Sequence, residues 1–261
     1  MDSRAAIIER LERGFQEVQD SERFQDYLST CARFHNYSAH NTILIWSQHP
    51  TATRVAGFHT WRKLGRHVLK GEKGIGILAP RPYRRTEEKD GEEEVIEGCY
   101  FKPVHVFDVS QTDGKELPAA PVTELDGSDD GLFASLAAIA TGEGIALDRT
   151  PNASSANGFY RPGTIWVKPE ASPLMATKTL AHELGHHFAG HVSGQCRGEQ
   201  ETIAEAVAYI VLAYVGIDAG SYSFGYLASW SDPKVFRAKL GEIHAAANRI
   251  IDGLETYAEA A

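Results

Sequence analysis

The segment Leu180-Ala181-His182-Glu183-Leu184-Gly185-His186 carries the pattern His-Glu-x-x-His within an apolar stretch of helical spacing. Residues four apart lie on one face of a helix, so His182 and His186 can present ring nitrogens to one cation. Glu183 lies about 100° round the helix, where its carboxylate can act as a general base without being a ligand. The segment therefore predicts a divalent-metal site, with zinc as the metal and Glu183 as the catalytic residue.

The next predicted helix offers the third ligand that such a site needs. Glu201 and Glu205 are again four residues apart, and a catalytic zinc site has three protein ligands and one open position. We assign Glu201 as the ligand and Glu205 as the residue that orients a ligand histidine, while the reverse assignment stays open. His191 is a rival third ligand, but the longer pattern His-Glu-x-x-His-x-x-Gly-x-x-His would need glycine at Ala189 and histidine at Val192.

The C-terminal half predicts a mainly helical domain with a small sheet, over residues 131–261. Apolar spacing favours helices at residues 132–141, 173–191, 199–215 and 233–257. A hairpin is predicted from residues 158–160 and 164–168, and we expect residues 164–167 to be the edge strand beside the metal helix. Tyr226 is a candidate donor to the oxyanion that peptide hydrolysis creates, with Tyr222 as the alternative.

The N-terminal half predicts a small α+β domain over residues 1–110, followed by a linker at residues 111–130. Spacing and cap residues favour helices at residues 7–18, 21–34 and 38–49. Strands are predicted at residues 54–57, 66–69, 75–80 and 100–109, with helical turns at residues 58–64. Residues 111–130 are rich in Gly, Pro and Asp and lack apolar periodicity. The whole chain is therefore predicted to be an α+β protein of two domains.

The charge is segregated along the chain. Net charge is −9 over 261 residues, yet residues 54–85 hold nine Lys and Arg against the single acidic residue Glu72, and residues 87–97 hold seven acidic residues. Basic residues interleaved with aromatic rings are typical of single-stranded-DNA binding, because bases stack on the rings. Trp61 is ambiguous, since a tryptophan in a small domain can equally be core. The predicted DNA-binding residues of this segment are Trp61, Arg62, Lys63, Arg66, Lys70, Lys73, Arg81, Arg84 and Arg85.

Several motifs of the N-terminal half resemble the single-stranded-DNA-binding domain of the ArdC-like family. They are Phe34-His35-Asn36-Tyr37-Ser38, Asn41, Val55-Ala56-Gly57-Phe58, Trp61, residues 65–74 (Gly-Arg-His-Val-Leu-Lys-Gly-Glu-Lys-Gly) and residues 106–112 (Val-Phe-Asp-Val-Ser-Gln-Thr). In that family the domain precedes a zincin-like domain, and members include antirestriction proteins. The resemblance implies single-stranded DNA as a partner, with Tyr37 and Asn41 among the contacts, and a metal at His182, His186 and a glutamate of residues 201–205.

The His-Glu-x-x-His helix followed by an acidic helix is similar to the ImmA/IrrE-like branch of the zincin metallopeptidases. Three functions stay open: a DNA-tethered protease, a DNA-binding protein with non-catalytic zinc, and a regulatory protease that acts on a protein target without DNA. Glu183 favours catalysis, since a structural site has no use for a general base. The three scattered cysteines and the lack of a long apolar run predict a cytoplasmic protein with no membrane partner.

Overall fold

The computed structural model of the chain describes residues 4–19, 21–89, 92–117, 130–151, 156–191, 197–217 and 232–260. The chain divides into two compact units. Unit 1 consists of Met1–Gln16 and His40–Pro118, and unit 2 of Glu17–Ala39 and Ala119–Ala261. Helices and small, mainly antiparallel sheets occur in both units, so the predicted α+β class is confirmed.

Most of the described helices and strands correspond to predicted elements. In chain order the described helices and strands are α1 (Arg4–Val18), α2 (Ser21–Arg33), α3 (Ala39–Gln48), β1 (Val55–Gly57), α4 (Phe58–Lys63), β2 (Arg66–Val68), β3 (Ile75–Lys89), β4 (Glu92–Asp108), a 3-10 turn (Val109–Gln111), β5 (Thr112–Gly114), α5 (Asp130–Gly142), β6 (Ala146–Asp148), β7 (Gly158–Arg161), β8 (Thr164–Val167), α6 (Pro173–Phe188), α7 (Arg197–Tyr214) and α8 (Pro233–Ala260). β5 and β6 were not predicted.

Unit 1 is built around a sheet of order β1-β4-β3, in which both pairs are antiparallel. β3 and β4 pair along their whole length, from Ile75 opposite Val106 to Lys89 opposite Glu92, so they form a much longer hairpin than predicted. β2 pairs separately with β5. The core lies between the sheet and the helices, where the buried apolar side chains include Ile43, Trp46, Trp61, Ile77 and Val106.

Two buried polar side chains of residues 106–112 hold the loops of unit 1 together. Oδ2 of Asp108 accepts hydrogen bonds from the backbone N–H groups of Thr53 and Arg54, at 2.8 and 3.0 Å. Oε1 of Gln111 accepts from the backbone N–H of Asp108, and its Nε2 donates to Glu72 in the Lys-Gly-Glu-Lys-Gly turn. These hydrogen bonds explain why residues 106–112 carry buried polar side chains.

Unit 2 contains a three-stranded sheet of order β6-β8-β7 against which α6 packs. β8 pairs in parallel with β6 and antiparallel with β7, which confirms the predicted hairpin. The expectation that residues 164–167 form an edge strand is wrong, because the unpredicted strand β6 covers the other side of β8. Ile165, Trp166 and Val167 of β8 are buried. The edge strands of this sheet are β6 and β7.

The two units do not follow the predicted domain limits. α2 lies in unit 2, where its apolar residues Phe24, Tyr27 and Leu28 are buried and Ser29 Oγ lies 3.0 Å from the hydroxyl of Tyr209 on α7. The predicted linker also begins too early, since β5 pairs with β2 inside unit 1. Residues 118–129 of that linker lie outside the described residues.

No helix in the described parts of the chain is both long and apolar enough to span a membrane. Two of the cysteines are described, and both are free thiols: Cys31 is buried and Cys99 is exposed. Cys196 lies outside the described residues.

Candidate metal centre

The predicted ligands lie where α6 packs on α7. α6 carries His182 and His186 on one face, four residues apart. A side chain at Gly185 would come within 3.1–3.2 Å of the backbone of Ala204 on α7. Glycine at this position therefore lets the two helices approach closely, and the approach brings Glu201 of α7 to both histidines.

The three ligand atoms form a compact triangle. Nε2 of His182 and Nε2 of His186 are 3.1 Å apart, and Oε2 of Glu201 is 3.2 Å from the first and 3.7 Å from the second. With bond lengths of about 2.0–2.1 Å, neighbouring ligands of a tetrahedral zinc ion are about 3.3–3.4 Å apart. The triangle therefore has the size of one face of such a tetrahedron, and the residues fit a zinc-type cation.

Glu205 lies behind His182 and not among the ligand atoms. Its Oε2 is 2.9 Å from Nδ1 of His182, and its Oε1 is 3.4 Å from Nζ of Lys178. A carboxylate at Nδ1 keeps the ring hydrogen on that nitrogen and leaves the lone pair on Nε2, which is the atom that faces Glu201. Of the two assignments that the sequence leaves open, the geometry favours Glu201 as ligand and Glu205 as the orienting residue.

The carboxylates favour positive charge at this triangle. Burial lowers the pKa of His182, but hydrogen bonds with Glu201 and Glu205 outweigh it and raise the pKa to about 9. Burial lowers the pKa of His186. Hydrogen bonds with the two histidines hold the pKa of Glu201 well below its usual range. When both imidazoles are neutral, as metal binding requires, the negative charge of the two glutamates is left to attract a cation.

Glu183 lies beside the ligands in a buried position, with 6% of its surface exposed. Burial raises the pKa of its carboxyl group to about 7, although a hydrogen bond from the backbone N–H of Tyr160 on β7 opposes the rise. β7 can lie this close because Gly158 has no side chain: a Cβ there would overlap the methyl group of Thr179 and lie 3.1 Å from Oε1 of Glu183. A carboxyl group with a pKa near neutrality can both take and release a proton at pH 7.

The other two histidines near the end of α6 do not join the triangle. Nδ1 of His187 is 3.1 Å from the hydroxyl of Tyr160. Nδ1 of His191 is 2.8 Å from Nδ1 of His186, which is the ring nitrogen that does not face Glu201. His191, the rival third ligand, therefore contacts the far side of the His186 ring and does not join the three ligand atoms.

Some residues of the centre were missed by the sequence analysis, and one predicted residue is not described. Gly158, Tyr160 and Gly185 act through close backbone approach, for which a glycine next to a predicted strand or inside the metal motif is the only signal in the sequence. Tyr226, the predicted oxyanion donor, lies outside the described residues.

Two of the predicted DNA-binding residues have structural roles in unit 1. Trp61 is 2% exposed, and its Nε1 donates to the carbonyl oxygen of Phe107 at 2.9 Å. The side chain of Asn41 bridges α3 to β3, since its amide donates to the carbonyl oxygen of Leu78 and accepts from the N–H of the same residue. A buried indole ring has no face open to a base. Trp61 is therefore a core residue of unit 1 and not a DNA-stacking residue.

The remaining predicted DNA-binding residues differ in exposure. Tyr37 is half-buried against Phe34 and belongs to unit 2. The guanidinium of Arg66 is tied to Thr112 and to the carbonyl oxygen of Lys115. The side chain of Arg85 is not described. The exposed members of the set are Arg62, Lys63, Lys70, Lys73, Arg81 and Arg84.

Fold and site together define a two-unit α+β protein whose helical unit holds a His-Glu-x-x-His ligand cluster. Residues 4–107 match the N-terminal domain of anti-restriction factor ArdC. The resemblance to the ArdC-like family is thereby confirmed for this part of the chain.

Two solved structures share the fold over most of both chains. The metal-free structure of the antirestriction ArdC protein from R388 plasmid superposes with a TM-score of 0.55, at 24% identity, over 84% of this chain and 86% of that one. The Mn(II)-bound structure of the same protein gives a TM-score of 0.52, at 22% identity, over 84% and 85%.

A curated relative extends the comparison to a longer protein. The uncharacterized Bacillus anthracis protein pXO2-81 is 26% identical over a match that covers 77% of this chain. The match spans 41% of the length of that relative, so the relative contains further sequence that this chain does not match.

Proposed function

We propose that this ArdC-like protein binds single-stranded DNA through unit 1 and hydrolyses a protein target at a zinc centre in unit 2, in an antirestriction or DNA-protection role. The observation that carries the proposal is the triangle of His182, His186 and Glu201, with ligand atoms 3.1–3.7 Å apart. The Mn(II)-bound ArdC structure supports a divalent cation in this fold. Two imidazoles and one carboxylate form a ligand set that favours zinc.

The chain's own groups fit peptide hydrolysis. A bound divalent cation supplies Lewis acidity, which polarises a carbonyl group and makes a water molecule more acidic. Glu183 takes the proton from the attacking water and passes it to the amine that leaves, because burial holds its pKa near 7 and the Tyr160 N–H fixes its carboxylate. Glu205, which contacts Lys178, holds the ring of His182 so that its Nε2 lies at the ligand triangle, where it would hold a bound cation.

The metal assignment is tested by substitutions on the two helices. Purified protein should hold about one zinc ion per chain, and His186→Ala or Glu201→Ala should lose most of it, because two ligands are too few for a tetrahedral site. Glu205→Ala is the matched control on the same helix, and it should keep zinc with about 10–100-fold weaker affinity. Glu183→Gln should keep zinc fully. Loss of zinc in Glu183→Gln together with retention in Glu201→Ala contradicts the assignment.

Catalysis is tested by pairing Glu183→Gln with the unsubstituted protein in a cleavage assay. The target offered is a single-stranded-DNA-binding protein, with and without an oligonucleotide, and fragments are detected by mass spectrometry. Cleavage that needs DNA, zinc and Glu183 supports the DNA-tethered protease. Cleavage without DNA favours the regulatory protease, whereas DNA binding with no cleavage of any target favours a DNA-binding protein with non-catalytic zinc.

Exposed groups of unit 1 support the DNA-binding part of the proposal. Lys70 and Lys73 are exposed in a turn whose Gly71 has a φ of +95°, a conformation that favours glycine and leaves the backbone open to a phosphate. Exposed aromatic rings on the β3–β4 hairpin and on α4 can stack bases in place of Trp61. These rings are Phe58, Tyr83, Tyr100 and Phe101.

The DNA-binding proposal is tested by fluorescence anisotropy with a labelled oligothymidine. Affinity should fall with salt, with a slope of about −0.7 per neutralised phosphate, and duplex DNA should bind more weakly. Lys70→Ala with Lys73→Ala should reduce that slope by about one to two units. The charge-matched control, Lys168→Ala with Lys234→Ala in unit 2, should leave it unchanged. Equal binding of single and double strands, insensitive to the first pair, contradicts the proposal.

A further inference from the structure

A chain of polar groups continues from His186 away from the ligand triangle. Nδ1 of His186 is 2.8 Å from Nδ1 of His191, and Nε2 of His191 is 3.3 Å from Oε1 of Glu242 on α8. The other carboxylate oxygen of Glu242 is 3.1 Å from Nζ of Lys239, and that ammonium group is 2.7 Å from Glu199. His191 is only 7% exposed, so its ring makes these contacts in the interior of unit 2.

The end of α6 explains why His191 returns to His186. Gly190 has a φ of +68°, which turns the chain back at the helix terminus. The N–H of Gly190 donates to the carbonyl oxygen of His187, and the N–H of His191 donates to that of His186, both at 3.0 Å. These are the two hydrogen bonds of a Schellman motif. The motif places residue 191 beside the last turn of the helix, within reach of the ligand.

Only one placement of the ring hydrogens satisfies the hydrogen bonds from His186 through His191 to Glu242 when Nε2 of His186 offers its lone pair to a cation. The hydrogen of His186 is then on Nδ1 and is donated to Nδ1 of His191, which accepts through its lone pair. His191 must carry its own hydrogen on Nε2, where the carboxylate of Glu242 accepts it. Each of the two imidazole rings thus donates through one nitrogen and offers the lone pair of the other, and the direction of donation runs from His186 to the accepting carboxylate of Glu242.

The other histidine ligand, His182, is oriented in the same way but by a direct contact with a carboxylate. Nδ1 of His182 donates directly to Glu205, and Lys178 contacts that carboxylate. We propose that His191 and Glu242 are positioning residues that hold His186 in the tautomer and orientation required for metal binding, an inference that rests on the proposed metal centre. α8, near the end of the chain, thereby contributes to a site whose ligands all lie on α6 and α7.

The experiment is a competition titration of zinc against a chromogenic chelator, with folding checked by thermal unfolding of the metal-free proteins. His191→Ala and Glu242→Ala should each weaken zinc affinity by about 10–100-fold. His191→Asn should recover most of the affinity, because its amide oxygen can accept from Nδ1 of His186. The matched control is His187→Ala. His187 lies on α6 next to His186 but contacts Tyr160 and not His191, so its removal should leave the zinc affinity unchanged.

Two further measurements distinguish a positioning role for His191 and Glu242 from direct metal ligation and from independent effects of the two residues. The double variant His191→Ala with Glu242→Ala should be no worse than His191→Ala alone, since both changes interrupt one chain. The Co(II) absorption spectrum of metal-saturated His191→Ala should match that of the unsubstituted protein, because the ligands are the same. A changed spectrum makes His191 a ligand and overturns the proposal. So does unchanged affinity in His191→Ala, or a folded His191→Asn that binds as weakly as His191→Ala. Failure of the unsubstituted protein to bind zinc or cobalt overturns the metal centre itself.

Discussion

The two aromatic residues of α4 give opposite predictions for stability. Trp61 is 2% exposed and donates a hydrogen bond to Phe107, whereas Phe58 is 44% exposed. Removal of a buried tryptophan side chain costs about 3–5 kcal/mol, and the carbonyl oxygen left without its donor adds about 1 kcal/mol. Trp61→Ala should therefore increase the opening of unit 1 by at least about 100-fold, since each 1.4 kcal/mol is a factor of ten. Phe58→Ala should change stability by no more than about 0.5 kcal/mol.

Hydrogen–deuterium exchange of the full chain, read by mass spectrometry, measures this difference locally. Peptides from β1, β3 and β4 should exchange much faster in Trp61→Ala, while peptides from unit 2 serve as the internal reference. Phe58→Ala should exchange like the unsubstituted protein and lose roughly 1–3 kcal/mol of single-strand binding, if its ring stacks a base. A Trp61→Ala protein with unchanged exchange and weakened DNA binding would show that the indole is a binding platform, and it would refute the core assignment.

Three more predictions follow from single contacts. Gly158→Ala should destabilise unit 2 by about 1–3 kcal/mol through overpacking. It should also reduce catalysis by displacing Glu183, while the zinc content stays unchanged. Peptidase activity equal to that of the unsubstituted protein would contradict the close approach of β7. Burial acts to raise the pKa of Asp108, but hydrogen bonds from backbone N–H groups outweigh burial and lower this pKa. Asp108→Asn should therefore destabilise the protein most above about pH 4. The loss of unfolding free energy relative to the unsubstituted protein should shrink as pH falls through the pKa of Asp108 in the folded state. Burial raises the pKa of Cys31 to about 12, so iodoacetamide at pH 8 should label Cys99 and reach Cys31 only after unfolding.

The sequence by itself determined most of the helices and strands and which residues are candidate metal ligands. The spacing of His182, Glu183 and His186 on one helix predicts that they share a site, because a period of 3.6 residues determines which side chains lie on one face. Most helices and strands were predicted within a few residues for the same reason, since apolar spacing and turn residues are local signals. The family resemblance likewise rests on motifs that are contiguous in the sequence, such as residues 65–74.

Only the tertiary structure decided which side chains meet across elements. Glu201 and Glu205 are equivalent in spacing, and the packing of α7 on α6 sets one at Nε2 and the other at Nδ1 of His182. The burial of Trp61 depends on the sheet that covers it, and the contact between His191 and Glu242 joins residues 51 positions apart. Contacts of this kind depend on how whole elements pack, which no local pattern encodes.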